Sequence, residues 1–196
     1  MVGARLSWDE LWILMATAIS SRGTCDRLMS GCVLVKSNKV IGAGYNGAVS
    51  GLENCADVGH LLIDNHCKRT IHDARNALNN TVASPKGATA YCVGTPCIDC
   101  VKDLLQNGIQ RIVYAGSYDN GIGPDRIQEL CAKKDVELSQ WGNGDPSAVL
   151  IILQKLLQRL QGSGGLFRNL PNLCINIESE GGLKTLCEEC DERDQT

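Results

Sequence analysis

His72-Asp73-Ala74-Arg75-Asn76, followed by Thr95-Pro96-Cys97-Ile98-Asp99-Cys100, decides the reading of this chain. One imidazole and a Cys-x-x-Cys pair supply three ligands for a tetrahedral zinc. They leave the fourth position open to water, which is how catalytic rather than structural zinc is held. The 25 residues from His72 to Cys97 suffice for one helix end, a loop and a strand.

Working outward, residues 89–94 read as a buried strand that stops at Pro96. Residues 97–106 resume a helical pattern with both cysteines in the first turn, and residues 111–115 form the next strand. Strand, helix and strand make a right-handed βαβ crossover, and the positive end of the helix dipole favours the two thiolates. Residues 70–78 read as a helix carrying His72 near its start.

Upstream, residues 8–20 show an apolar stripe at 8, 11, 12, 15 and 19 behind the N-cap Ser7. Residues 31–35 and 40–44 alternate around Ser37-Asn38 and predict a hairpin, which leaves through Tyr45-Asn46-Gly47. Residues 50–69 are polar and glycine-punctuated and hold Cys55, His60, His66 and Cys67, as a long loop with a function would.

Downstream, residues 124–133 read as a helix and 136–139 as a short edge strand. The first domain is expected to span 1–141. Gly142-Asn143-Gly144-Asp145-Pro146 has the composition of a linker, and the remainder, 142–196, is a C-terminal extension. That extension holds a strongly apolar helix over about 147–160, then a glycine-rich and acidic tail. Cys174, Cys187 and Cys190 read there as fortuitous thiols in a poorly ordered tail, with half of a metal site as the alternative.

The 196 residues are 43% hydrophobic with a formal net charge of -3. The length suits one α/β domain with an appendage. The acidic balance argues against a nucleic-acid partner, because backbone affinity comes from clustered Lys and Arg. No basic-then-apolar leader opens the chain and no apolar run is long enough to span a bilayer, so a cytoplasmic protein with no membrane partner is expected. Eleven cysteines in such a chain read as metal ligands and small buried residues rather than as a disulfide framework.

His-x-Glu followed by Pro-Cys-x-x-Cys is the signature of zinc nucleobase deaminases. Pro96 and the upstream His72 therefore disfavour the redox-dithiol reading of Cys97 and Cys100. More motifs narrow the resemblance: Thr24-Cys25-Asp26-Arg27, Gly44-Tyr45-Asn46-Gly47, Asn54-Cys55, residues 59–72, residues 95–100 and Tyr118-Asp119. In this order they strongly resemble the deoxycytidylate (dCMP) deaminase family over about residues 7–141.

That resemblance implies a three-layer α/β/α fold with a five-stranded mixed sheet, and zinc-dependent hydrolysis of dCMP to dUMP and ammonia. It implies a homohexamer, allosteric control by dCTP and dTTP, and Mg²⁺ accompanying a nucleotide effector. It implies catalytic zinc on His72, Cys97 and Cys100, and contacts from Asn46, Asn76, Thr95, Tyr118 and Arg27 to the nucleotide. Read by itself, Asn46 in its glycine-flanked loop also suits a turn position at positive φ. Some family members carry a second, structural zinc, for which Cys25, Cys55, His66 and Cys67 are the matching residues, with His60 as the alternative to His66. Buried free thiols are the other reading of these cysteines.

The departure lies at Ala74, where the family has its proton-shuttling Glu. General acid–base catalysis is typically worth about 10²–10⁴-fold, so the sequence predicts a chain that binds zinc and substrate but turns over very slowly. Asp73 is expected not to substitute, since it points about 100° away from position 74 on a helix. A deliberate Glu-to-Ala exchange that traps substrate is one origin of Ala74, and a natural pseudoenzyme is the other. Two alternative functions stay open: deamination of dCTP or a C5-modified cytidylate, and a non-catalytic nucleotide sensor.

Overall fold

Gly31–Lys36 (β1) and Lys39–Tyr45 (β2) pair antiparallel through a turn in which Ser37 and Asn38 have φ of 49° and 57°. Left-handed backbone at both central residues matches the right-handed twist of the flanking strands. The register shifts between Leu34 and Val35, so Ile41 is the extra residue of a bulge. The structure is a computed structural model that describes residues 4–118, 124–145, 147–161, 176–179 and 182–185.

Three further strands complete the sheet: Thr89–Gly94 (β3), Arg111–Gly116 (β4) and Glu137–Gln140 (β5). The order is β2-β1-β3-β4-β5, antiparallel across the first three and parallel from β3 to β5. This is the five-stranded mixed sheet that the family resemblance implied. Parallel neighbours need crossovers, and the helices at Ile98–Gln106 and Pro124–Lys133 supply them.

Five helices are named in chain order: Trp8–Ser20 (α1), Asp73–Asn79 (α2), Ile98–Gln106 (α3), Pro124–Lys133 (α4) and Ser147–Gln161 (α5). Cys32 and Leu34 of β1, Ala90 and Cys92 of β3, and Ile112 of β4 alternate onto one face. There they meet Ala74 and Ala77 of α2, Val101 and Leu104 of α3, and Ile127 and Cys131 of α4. Val33, Val35, Tyr91, Val113 and Ala115 occupy the other parity and are buried too, so the sheet is covered on both faces. On that side α1 lies so close to β1 that a Cβ on Gly31 would strike the Ala16 carbonyl oxygen.

Two expectations need correction. In α1 the buried positions are Trp12, Ile13, Ala16 and Ser20, while Trp8 is exposed. The inward face is thus turned by about one residue from the expected stripe, because small Ala16 permits the closest approach. The helix expected over 70–78 begins only at Asp73, because Thr70–Ile71 instead pairs antiparallel with Gly47–Ala48. His72 becomes its N-cap, which makes Asp73 the first helical residue and Ala74 the second.

The chain divides into two compact units, Leu11–Asp145 and a second drawn from both ends, Met1–Glu10 with Pro146–Thr196. The first ten residues therefore group with the extension rather than with the domain expected over 1–141. Lys155 Nζ, donating to Glu10 Oε1 at 2.6 Å, is one tie that groups them. Ser7 and Glu10 also cap α1 reciprocally, at 2.7 and 3.2 Å. In the extension, Asn176–Ser179 (β6) and Gly182–Thr185 (β7) form an antiparallel hairpin within the stretch read from sequence as a tail. Cys174, Cys187, Cys190 and Asp119 lie outside the described residues. Among the described residues no helix is long and apolar enough to cross a membrane.

Candidate functional site

Glycines on β2 bring the first site together. A Cβ at Gly42 would lie 2.6 Å from the Ala77 carbonyl oxygen, and one at Gly44 would lie 2.6 Å from the Asp73 carbonyl oxygen. Bare backbone at both positions lets α2 lie directly on the sheet, which aims its N-cap His72 at the end of β3. Cys97 caps α3 in the same extended conformation (φ -70°, ψ 164°), and Cys100 follows in its first turn.

His72 Nδ1 stands 3.3 Å from Cys97 Sγ and 3.4 Å from Cys100 Sγ. A tetrahedral zinc with Zn–S near 2.3 Å and Zn–N near 2.0–2.1 Å sets nitrogen and sulfur about 3.5 Å apart, so this donor set fits zinc. Hydrogen bonds from the Cys100 thiol and then from His72 pull the Cys97 thiol down to about 4, against the opposing effect of burial. Cys100 is pushed up, first by its hydrogen bond to Cys97 and then by burial. The Cys97 hydrogen bond raises His72.

These three donors line a cleft of about 230 Å³. Arg27, Asn46, Thr95 and Tyr118 line it as well. Asn46 is buried and does not have positive φ. Its Oδ1 accepts from the Ser30 backbone N–H at 2.9 Å, and its Nδ2 donates to the Leu28 carbonyl, so it braces the wall. Thr95 Oγ1 donates to the Gly116 carbonyl at 3.2 Å and accepts from the Tyr118 N–H at 3.3 Å, which sets Tyr118 at the rim.

Asn76 is not among the lining residues. Its Nδ2 donates to the Tyr45 carbonyl at 2.7 Å, tying α2 to the end of β2. Ala74 is likewise not part of the lining and is fully buried in the core cluster. Two carboxylates line the cleft, those of Asp73 and Asp99, and Asp73 Oδ2 accepts from Ser30 Oγ at 2.8 Å. Burial raises the Asp73 carboxyl, opposed by that hydrogen bond.

Sequence reasoning had the 100° step between positions 73 and 74 but not its origin, because it started the helix three residues too early. Ser30 and Lys68 were also missed as lining residues. Ser30, directly before β1, offered no pattern of its own.

A second cluster gathers Cys25, Cys55, His60 and Cys67, with donor atoms all within 4.8 Å of one another. Cys25 Sγ lies 3.6 Å from His60 Nδ1, and Cys55 Sγ lies 3.6 Å from Cys67 Sγ. Tetrahedral zinc gives about 3.5 Å for nitrogen–sulfur and about 3.8 Å for sulfur–sulfur pairs, so these four also fit. His60 takes the position expected of His66, which lines the cleft instead. The Leu62–Ile63 and His66–Cys67 pairing reverses the chain between them and sends neighbouring residues to different sides.

Burial pushes the Cys55 thiol up to about 12, reinforced by hydrogen bonds with Cys67 and Cys25. Burial also raises Cys67, but the Arg69 backbone hydrogen bond and those of His60, Cys55 and Cys25 outweigh it and bring it to about 6. Asp26 Oδ1 sits 3.1 Å from His60 Nε2.

A family model described as "Cytidine and deoxycytidylate deaminase zinc-binding region" matches residues 6–116. The protein named ComE operon protein 2 from Bacillus subtilis is 38% identical over 117 residues, 58% of this chain and 62% of that protein. The chain thus spans less than two thirds of that relative's length. Deoxycytidylate deaminase of Mycobacterium phage D29 is 32% identical over 123 residues, 57% of this chain and 96% of that protein. The dCMP deaminase of cyanophage S-TIM5, solved in apo form, covers 70% of this chain and 99% of its own at 25% identity and a TM-score of 0.55. Its complex with dCMP and dUMP covers 70% and 98% at 24% identity and a TM-score of 0.60.

Proposed function

Because the chain belongs to the cytidine and deoxycytidylate deaminase zinc-binding family, we propose that its cleft binds dCMP for hydrolytic deamination, dCMP and water giving dUMP and ammonia. The observation that carries this reading is the convergence of His72 Nδ1 with the Cys97 and Cys100 sulfurs, at 3.3 and 3.4 Å, on the cleft wall. His72, Cys97 and Cys100 would hold a zinc there, which would supply Lewis acidity able to lower the pKa of water to about 7. The substrate is supported by the phage relative named deoxycytidylate deaminase and by the cyanophage protein complexed with dCMP and dUMP.

The chain's own residues bind and orient. Tyr118, set by Thr95, gives the ligand a face to lie against, and Asn46 keeps the loop between Leu28 and Ser30 in shape. Attack at C4 of cytosine needs one proton delivered to the ring nitrogen and another to the departing ammonia. Position 74 offers only a methyl group, so this chain binds dCMP and turns it over slowly, short by about 10²–10⁴-fold or more.

The Asp73 carboxylate favours a second reading, because it lines the cleft while Ala74 packs in the core. In that reading Asp73 carries the protons, with Ser30 Oγ orienting it. Release of dUMP and ammonia by the zinc-loaded chain, by Ala74→Glu and by Asp73→Asn separates the two. If only Ala74→Glu turns over, the first reading holds. If the unchanged chain turns over and Asp73→Asn abolishes it, the second does. Binding of dCMP without turnover by any of the three supports the nucleotide sensor, and consumption of dCTP or a C5-modified cytidylate instead of dCMP moves the substrate.

The same reading includes a second, structural zinc on Cys25, Cys55, His60 and Cys67, supported by their spacing. It also includes a homohexamer controlled by dCTP and dTTP with Mg²⁺ in the cytoplasm, supported by the family resemblance. Metal analysis tests the first; sedimentation and effector titration test the second.

A further inference from the structure

The segment that leaves β4 is pinned from both neighbouring strands, and one pin lies outside the cleft. On the β3 side Thr95 Oγ1 holds it twice, through the Gly116 carbonyl at 3.2 Å and the Tyr118 N–H at 3.3 Å. On the β5 side Gln140 Nε2 donates to Ser117 Oγ at 3.0 Å. Tyr118 lines the cleft, whereas Ser117 and Gln140 do not. With residues 116 and 118 held from one strand and the side chain between them held from the other, the direction of the Tyr118 side chain is fixed. An ideal Cβ on Gly94 would lie 3.9 Å from both Tyr118 Cβ and Ser30 Oγ, so Tyr118 is rooted beside the hydroxyl that holds Asp73.

The sheet register explains why a glutamine makes the outer pin. β4 and β5 run parallel with Tyr114 opposite Gln140, so Gln140 ends its strand while β4 continues to Gly116. At about 3.3 Å per residue, only a long side chain spans the step to Ser117. The turn that follows closes over its amide. Gly142, Asn143 and Gly144 have φ of 64°, 52° and 75°, which wraps the backbone back until a Cβ on Gly144 would strike Gln140 Nε2 and lie 3.5 Å from Ser117 Oγ. Ser117 and Gln140 are both exposed, so water competes for them, and the Gly144 backbone removes the room into which the amide would turn away. Residues 142–144, expected from composition to be linker, thus cover a hydrogen bond.

Resting on the dCMP reading above, we propose that Gln140 is a positioning residue for nucleotide binding, acting through Ser117 to set the Tyr118 ring against the base from outside the cleft.

Titration calorimetry of the full zinc-loaded chain with dCMP tests this, with zinc content by mass spectrometry alongside. Gln140→Ala should weaken dCMP binding by about three- to tenfold, the range of one neutral hydrogen bond, with zinc content unchanged. Ser117→Ala should do the same, and the double variant should lose no more than either single, because one contact can be removed only once. Gln140→Glu, whose carboxylate accepts from the Ser117 hydroxyl, should bind within about twofold of the unchanged chain. In a Tyr118→Ala background, Gln140→Ala should change nothing further, whereas a merely structural role would lower affinity equally in both backgrounds. Undiminished dCMP affinity in Gln140→Ala overturns the inference, as do additive losses in the Ser117 cycle or a Gln140→Glu chain as weak as Gln140→Ala. The Ser117 cycle decides even where Tyr118→Ala binds too weakly to measure. Absence of dCMP binding by the unchanged chain removes the dCMP reading and the inference with it.

Discussion

The three-donor cluster hangs on regular elements, with His72 and Cys97 as the N-caps of α2 and α3, whereas the four-donor cluster draws Cys25, Cys55, His60 and Cys67 from a stretch whose longest helix is Cys55–Val58. Around the first, Ala74, Ala77, Val101 and Leu104 are fully buried in the main core. Around the second, Cys55 is the one buried residue between positions 49 and 69, and Leu61, Leu62 and Ile63 are about half exposed. Packing pre-arranges three donors and leaves the fourth position for chemistry. Where packing is absent, four donors and a metal must do the folding themselves.

The test with the largest expected effect strips both metals with a chelator and follows amide exchange by segment. Structural zinc contributes roughly 10–16 kcal/mol of folding free energy in small metal domains. Residues 54–68 should therefore lose their protection by several orders of magnitude, while the amides of α2 and of β3 exchange as before. Equal loss in both regions would erase the distinction between a packed site and a metal-built one.

That distinction also explains what was legible in the sequence. Donors hung on periodic elements carry their spacing with them, and Cys97 and Cys100 announce the first turn of a helix behind Pro96. His60 and His66 sit in a loop without a period, and which of them faces the cysteines depends on the Leu62–Ile63 and His66–Cys67 pairing, a two-residue contact with no signature. The roles of Asp73 and Ala74 turned on one helix boundary, and that boundary was set by Thr70–Ile71 joining Gly47–Ala48 from 23 residues upstream. The β6–β7 hairpin was hidden by a glycine-rich, acidic composition that reads as tail.

A smaller effect is expected where the first site's own support is disturbed. Gly44→Ala would set a Cβ 2.6 Å from the Asp73 carbonyl oxygen and the Asn76 carbonyl carbon. Both are helix backbone, so α2 must shift. Overpacking of this kind costs about 1–3 kcal/mol, readable as a lower urea midpoint. The shift should also weaken zinc at His72, Cys97 and Cys100 while the other cluster keeps its metal. Unchanged affinity at the first site would mean that the close seat of α2 on β2 does not position His72.

The smallest effect sharpens the comparison from the other side. Asp26 Oδ1 lies 3.1 Å from His60 Nε2 while His60 Nδ1 faces Cys25, so the carboxylate accepts the Nε2 proton and leaves Nδ1 as the donor atom. The Asp26 side chain is 80% exposed, and water screens its charge; what it contributes is the tautomer and angle of the ring. Outer-shell partners of this kind are worth about 10- to 100-fold in metal affinity. Asp26→Asn keeps an acceptor and should fall near the lower end, about tenfold, measured as zinc release to a competing chelator from the second site only. His66→Ala should leave that release unchanged, because His66 faces the cleft. If His66→Ala loosens the second zinc and Asp26→Asn does not, the ligand is His66 after all and the loop pairing at Leu62–Ile63 is the part of the site that has to be redrawn.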